Sequence, residues 1–428
     1  MNFPDRILKS SLLKGVLILL SGAAIAQVIS FGASIFLARI YLPEDFGLLA
    51  VFTALAGILS LIASGRYELG FLVNDDKKEI KALLRLIYAL VVSFALAISL
   101  ISLIWFFIHG GALDFKESST WYLILGLSLF FSTLAQVYNV FLIREKSYSI
   151  LSKYRVAESL VNNGLAIVLS IFGPIGLLIS YVSSQAIIFF GLQHITFKRL
   201  SPFKLSYEKK EIAETAKTYQ KYPKFNILQG IIDSFQLQGV LLTGSLFLSL
   251  TAVGFYSYAM RILQVPVWLI VRPMSQVFLS ESSELYRESK SFYPLAMKVL
   301  KRSFLMGIPL VVILFFWGPD LFSLVFGDKW KGAGELAKVL SFWILTDFVR
   351  APLSQIPIIL GKQSILLKFS LIGSAGILIV IFIMGNAFAD EYLKFFTLLS
   401  LAQIIYNCLI IYLCLSQAKR HQVQLSQA

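Results

Sequence analysis

Twelve stretches of mainly apolar residues follow one another along the chain, parted by charged or Pro/Gly-rich breaks, and each is near the length of about 20 residues that carries an α-helix across a bilayer. They cover 14–40, 46–64, 82–108, 121–143, 156–173, 175–197, 223–249, 254–280, 303–318, 335–360, 365–388 and 393–417. The fifth and sixth are separated only by Gly173-Pro174, and the ninth is short. At the N-terminus Lys9 and Lys14 precede the apolar run Val16–Leu20, and Ala24-Ile25-Ala26 resembles a signal-peptidase site. The run continues through Phe31 and Phe36 to Ile40, too far for a signal peptide, so the pattern predicts a retained first helix.

Composition changes the picture from helical to membrane-embedded. Of 428 residues, 57% are hydrophobic and only 14% charged, with a mean hydropathy of +0.77. Ordinary soluble domains carry about 25% charged residues, and the apolar ones here are spread along the whole chain, so the bilayer is the expected solvent. The formal charge of +14 would suggest nucleic acid in a soluble protein. Sorting the 38 Lys and Arg by alternating connections places 29 on one side, 6 on the other and 3 inside spans. That asymmetry is the positive-inside pattern. It predicts both termini in the cytoplasm, an inner-membrane location and no nucleic-acid partner. Cys408 and Cys414 share one apolar stretch, so neither a disulfide framework nor a four-ligand zinc site is available, and no metal site is expected.

The longest inward connection, 198–224, is also the most charged, and it divides the spans six and six. The sequence therefore predicts an N-terminal six-helix lobe over 1–197, a cytoplasmic connecting loop over 198–222 and a C-terminal six-helix lobe over 223–428. Internal repetition agrees. Ser149–Tyr154 returns as Ser364–Phe369 at an offset of 215, and Phe46–Ala50 corresponds to Val253–Ser257 at an offset of 207. An even number of spans per half gives both copies one orientation, which suits two lobes that rock about a cavity in alternating access.

Ionisable and polar groups inside hydrocarbon cost several kcal/mol unless they meet a cavity or a partner, so each is a candidate for function. On the eighth span Arg261, Trp268 and Arg272 fall within about 40° of one another on an ideal helix, flanked by Gln264 and Gln276. Two cations at two depths suit an anionic headgroup; for Arg272, near the inner end, snorkelling to the interface is the competing explanation. The seventh span carries Asn226, Gln229, Asp233 and Gln236 on one stripe. Asp233 is the candidate coupling acid, since exchange between protonated and ion-paired forms would tie cation movement to the cycle, with a structural pair to Arg261 as the alternative. Asp347 and Arg350 on the tenth span stand at i, i+3, a second coupling and substrate-binding candidate or a local pair. Gln27, Ser30 and Ser34 stripe the first span, Gln136 and Asn139 the fourth, and Glu158 and Asn162 the fifth; these fit sugar hydroxyls or interhelical hydrogen bonds. Arg66 and Glu68, at the inner mouth of the second span, would admit an anion or mark the interface. The chain has no Gly-rich Lys-Ser/Thr phosphate loop and only short outward connections, so an ATPase or a membrane enzyme is disfavoured and no cofactor is expected.

Three segments resemble a known family. Residues 31–71 give Phe31, Leu37-Ala38-Arg39, Pro43-Glu44-Asp45-Phe46-Gly47-Leu48 and Gly65-Arg66-Tyr67-Glu68; 254–266 run from Gly254-Phe255-Tyr256 through Arg261 to Pro266; and 326–334 read Phe326-Gly327-Asp328-Lys329-Trp330-Lys331-Gly332-Ala333-Gly334. Their order and spacing are similar to the Wzx-type O-antigen and capsule-unit flippases, polysaccharide exporters of the multidrug/oligosaccharidyl-lipid/polysaccharide superfamily. The resemblance implies an all-α integral membrane protein of about twelve transmembrane helices in two six-helix lobes, with a MATE-like transporter fold. It implies a cargo of undecaprenyl-pyrophosphate-linked oligosaccharide, a proton or sodium gradient as driving force, and a polysaccharide polymerase and chain-length regulator as partners. Arg261 falls where the related lipid II flippases also carry an arginine. Their two first-span arginines correspond to Gln27 and Ala33 here, which argues against the peptidoglycan precursor as cargo. The competing expectations are a cation-coupled multidrug exporter of the same superfamily and a membrane polysaccharide polymerase.

Overall fold

In the computed structural model, residues 11–108, 118–201 and 209–427 are described, the side chains of 11–17, 20, 118–120, 209, 225, 233, 236, 237, 363–367 and 427 excepted. The described chain is built from helices: α1 Ser11–Ile40, α2 Pro43–Ser64, α3 Lys77–Ile108, α4 Leu125–Arg144, α5 Tyr148–Val168, α6 Pro174–Arg199 and α7 Lys209–Thr218. After these come α8 Ile227–Gly244, α9 Leu250–Pro266, α10 Arg272–Arg287, α11 Tyr293–Phe326, α12 Lys331–Leu353, α13 Gln363–Ala387 and α14 Tyr392–Gln427.

Local chemistry sets the boundaries. Pro43 opens α2 with φ already fixed for a helix, and the Asp45 carboxylate accepts the Leu42 N–H at 2.7 Å, a return bond that satisfies an orphan donor. Ser249 caps α9 by accepting the Ala252 N–H at 3.2 Å. The Gly173-Pro174 break does separate the fifth and sixth spans: Gly173 turns at φ 61° and Pro174 starts α6. Helix starts also keep the repeat offsets of the sequence, with Pro43 and Leu250 207 residues apart and Tyr148 and Gln363 215 apart.

Ten stretches among the described residues are long and apolar enough to cross a membrane, which makes this a multi-pass membrane protein. The remaining two expected spans form helices, α8 and α12, that fall outside those ten. For α12 the reason is its charge, Lys331, Glu335, Lys338, Asp347 and Arg350, while α8 includes positions whose side chains lie outside those described. Elsewhere the helices turn large apolar side chains outward, with Phe36, Leu96, Leu305 and Phe316 each about two-thirds exposed, as a lipid-facing surface requires.

Two compact units emerge. The first comprises Met1–Tyr41 and Leu48–Gln238, and the second Leu42–Gly47 and Gly239–Ala428. In the first, Phe71, Leu83, Ile87, Tyr138 and Leu192 centre a core that joins α3, α4 and α6. The connection expected as a loop contains α7, and this helix is docked on the first unit. Arg85 donates to Glu211 at 2.6 Å, and Tyr219 donates to Glu79 at 3.0 Å. In the second unit Phe278, Phe292, Leu353 and Ile410 centre a core among α10, α11, α12 and α14. Here the first turn of α2 lies against α9, with the Phe46 ring 5.2 Å from Tyr258 and 5.4 Å from Trp330.

Candidate functional site

The cationic stretch of the second unit is interrupted. Pro266 removes a backbone donor inside the eighth span, and Val267–Val271 adopt a π-helical turn before α10 begins. An i→i+5 turn takes up one residue more than an α-turn, so the helix phase slips by about 100° between Arg261 and Arg272. The two arginines expected on one stripe of a regular helix are thereby rotated apart. Arg261 is half-buried, and among the described residues its guanidinium makes no hydrogen bond or ion pair. Gln264, one turn on, is also half-buried. Arg272 is exposed and lies 3.0 Å over the centre of the Trp268 ring, a cation–π contact with an indole that is itself 41% exposed. Trp268 thus holds Arg272 as a pair at the surface of this unit.

Asp347 and Arg350 form the local pair that i, i+3 spacing allows. Arg350 donates through Nε at 2.9 Å and Nη2 at 2.7 Å, both to Asp347 Oδ1. Both donors fall on one oxygen of Asp347, the local pair that the sequence offered as one of its two readings.

In the first unit Arg66 sits at φ 57°, a left-handed conformation unusual for a residue with a side chain. The strain follows Gly65 at φ 60° and folds the chain sharply out of α2 into a short turn over Tyr67–Leu72. Arg66 Nη1 reaches Glu68 Oε1 at 3.6 Å, while Arg66 Nε and Glu68 Oε2 are buried without hydrogen-bond partners. Glu68 lies outside the spanning helices, and burial, its largest influence, pushes its carboxyl above the usual carboxylate range against the pull of Ser64 and Arg66. A raised acid favours the protonated folded state, so stability falls as pH rises from the ordinary carboxylate range through the raised value. Glu68→Gln should therefore raise thermal stability at pH 8, by on the order of 1 kcal/mol, and change little at pH 4. Melting curves of the purified protein at the two pH values check this; an equal effect at both would remove burial of the charge as the cause.

Gln229 is exposed on α8, and the Asp233 side chain lies outside those described. Gln27 lines a cavity of about 290 Å³ between α1, α5 and α6, together with Ser30, Glu158, Asn162 and Gln185. Gln185 donates to Glu158 Oε1 at 2.8 Å, and the Ser30 and Ser159 hydroxyls share a hydrogen bond of 2.9 Å. The sequence marked the stripes on α1 and α5 separately. It carried no signal that Gln185 of α6 would complete them, because that partnership is long-range.

The family model described as "Polysaccharide biosynthesis protein" matches residues 36–335. No curated protein matches in sequence. Among solved structures, the chain is similar to the lipid II flippase MurJ in an inward closed conformation, with a TM-score of 0.72 and 15% identity over 95% of this chain and 90% of that one. It is also similar to an inward-facing multidrug resistance MATE family transporter of the MOP superfamily, at 0.57 and 15% over 96% and 95%. A MOP superfamily transporter from Pyrococcus furiosus matches at 0.52 and 14% over 97% of each chain. At these identities the likeness shows the fold, and the fold is the MATE-like transporter fold.

Proposed function

The chain belongs to the polysaccharide biosynthesis protein family over residues 36–335, and from that premise we propose that it is a flippase for undecaprenyl-pyrophosphate-linked oligosaccharide repeat units. It moves them across the bacterial cytoplasmic membrane by alternating access, for O-antigen or capsule assembly, using twelve spans in two six-helix lobes with both termini in the cytoplasm. The observation that carries the proposal is Arg261. Among the described residues its guanidinium makes no hydrogen bond or ion pair, which is costly to hold on a membrane helix, and a pyrophosphate is the kind of group that charge-assisted bonds from arginine recognise. The shared fold with a lipid II flippase supports a lipid-linked cargo. Arg66, Arg272, Arg350, Gln264, Trp268, Gln229 and Gln27 are the further binding candidates. Asp233 is the proposed coupling acid for a proton or sodium gradient, with a polysaccharide polymerase and a chain-length regulator downstream.

Reconstitution tests this directly. Proteoliposomes loaded with a fluorescent undecaprenyl-pyrophosphate oligosaccharide should show protein-dependent exposure of the glycan to an impermeant lectin, faster under an imposed proton or sodium gradient. Exposure no faster than in protein-free vesicles, with gradient-driven extrusion of a cationic dye instead, would replace the flippase by a drug exporter. An Asp233→Asn protein that keeps full gradient dependence would remove that acid from the coupling step.

A further inference from the structure

The cavity of the first unit is lined by groups of a particular chemistry. Gln27, Ser30, Asn162 and Gln185 are neutral hydrogen-bonding side chains, and Tyr181 adds an aromatic wall. Glu158 supplies the one carboxylate, already receiving the Gln185 amide at 2.8 Å. Asn162 also lines the space, and its Oδ1 is buried with no hydrogen-bond partner. At about 290 Å³ the space stands at the lower end of small-molecule pockets, which run from about 300 to 1,000 Å³.

Size and charge separate the possible occupants. A bare monovalent or divalent cation wants several oxygens closed around it at about 2.0–2.6 Å, whereas this space is much larger than one coordination shell. Arg155 also lines the same wall and opposes a second cation there. An anion would meet Glu158. A neutral ring bearing several hydroxyls fits both constraints: it donates to Glu158, meets the Asn162 amide, accepts from the amides of Gln27 and Gln185, and lays an apolar face on Tyr181.

We propose that this cavity is a saccharide subsite that takes one neutral pyranose-sized ring. The proposal rests on the reading that the cargo is a lipid-linked glycan, and it separates sugar recognition on α1, α5 and α6 from the pyrophosphate grip assigned to Arg261. The binding energy would come from several ordinary hydrogen bonds, so a single free sugar should bind only in the millimolar range.

The test uses the full chain in lipid nanodiscs and saturation-transfer NMR with methyl α-glucoside, methyl β-galactoside and methyl N-acetyl-β-glucosaminide. At least one should receive saturation with a Kd in the millimolar range. Asn162→Leu and Gln185→Leu should each weaken that binding by up to about tenfold. Glu158→Gln keeps a hydrogen-bonding oxygen and should cost less than about threefold, whereas Glu158→Leu should cost about tenfold. Variants are compared only where their melting temperature in nanodiscs matches the parent, so loss of fold is not read as loss of binding. No saturation of any of the three glycosides up to about 50 mM, or binding indifferent to Asn162→Leu and Gln185→Leu, overturns the subsite. So does sodium binding by the parent that Glu158→Gln abolishes as completely as Glu158→Leu, which would make the cavity a cation site. Translocation of the lipid-linked glycan without glycoside binding removes this subsite and leaves the flippase standing; glycoside binding without translocation does the reverse.

Discussion

In cells, Arg261→Ala is expected to abolish surface glycan, and Arg261→Lys to retain a fraction of it. Hydrogen bonds to a charged group are worth about 1.5–3 kcal/mol each, so losing the guanidinium should slow export by roughly 10- to 150-fold for a single lost bond. Lysine keeps the charge as a point donor but cannot present the planar fork that grips two phosphate oxygens at once, which places it between arginine and alanine. The comparison also separates binding from structure. Arg261 is half-buried and makes no hydrogen bond or ion pair among the described residues, so its removal is expected to relieve the cost of holding a charge on a membrane helix. The alanine protein should melt no lower than the parent while export fails. Normal surface glycan from a stably inserted Arg261→Ala protein would sink the assignment, and a lowered melting temperature with proportionate loss of export would make Arg261 a structural residue.

Much of this architecture is written in the local pattern of the chain. Helices occupy all twelve expected stretches, because a run of apolar residues in hydrocarbon has no other way to satisfy its backbone. Asp347 with Arg350 was equally legible, since three residues is the reach of one helical turn. What failed was every inference that carried an ideal helix across an interruption. Pro266 was in plain view, yet the stripe linking Arg261 to Arg272 assumed a constant 100° step, and the π-helical turn over Val267–Val271 breaks it. Likewise the charged connection gave no sign that Glu211 would meet Arg85, or Tyr219 meet Glu79, some 126 and 140 residues away. The candidate sites divide along the same line. Glu158 and Asn162 announced themselves as polar residues on an apolar helix, but a cavity needs opposing walls, and Gln185 of α6 stands 27 residues from the carboxylate it bonds. In the other direction, the weak repeat between Phe46–Ala50 and Val253–Ser257 proved informative beyond its length, as the contact between its two copies shows.

Those two copies meet at glycines, and a side chain at either should break the contact. A Cβ placed on Gly254 would fall under 3.0 Å from the Pro43 carbonyl oxygen, and one on Gly47 under 3.0 Å from the Leu250 carbonyl oxygen. Both obstacles are backbone, so no rotamer change relieves them. The positions are also equivalent by repeat: Pro43 with Leu250 and Gly47 with Gly254 keep the offset of 207, as do Glu44 and Thr251, whose side chains approach at 3.4 Å. Each copy therefore presents its glycine to the other's first carbonyl. Close approach of this kind is how membrane helices gain packing and dipolar contact where hydrophobic association supplies little. Gly254→Ala should cost about 1–3 kcal/mol and lower the melting temperature, and Gly254→Val should cost more by lifting the first turn of α2 off α9 and separating Phe46 from Tyr258 and Trp330. Because both glycines serve one contact, Gly47→Ala combined with Gly254→Ala should cost less than the two separate losses together. Cysteines at Glu44 and Thr251, joined by a short thiol-reactive linker, give a direct readout: high cross-linking in the parent and a marked fall in Gly254→Val. Unchanged cross-linking together with an unchanged melting temperature in Gly254→Val would show that the two copies do not pack through these glycines.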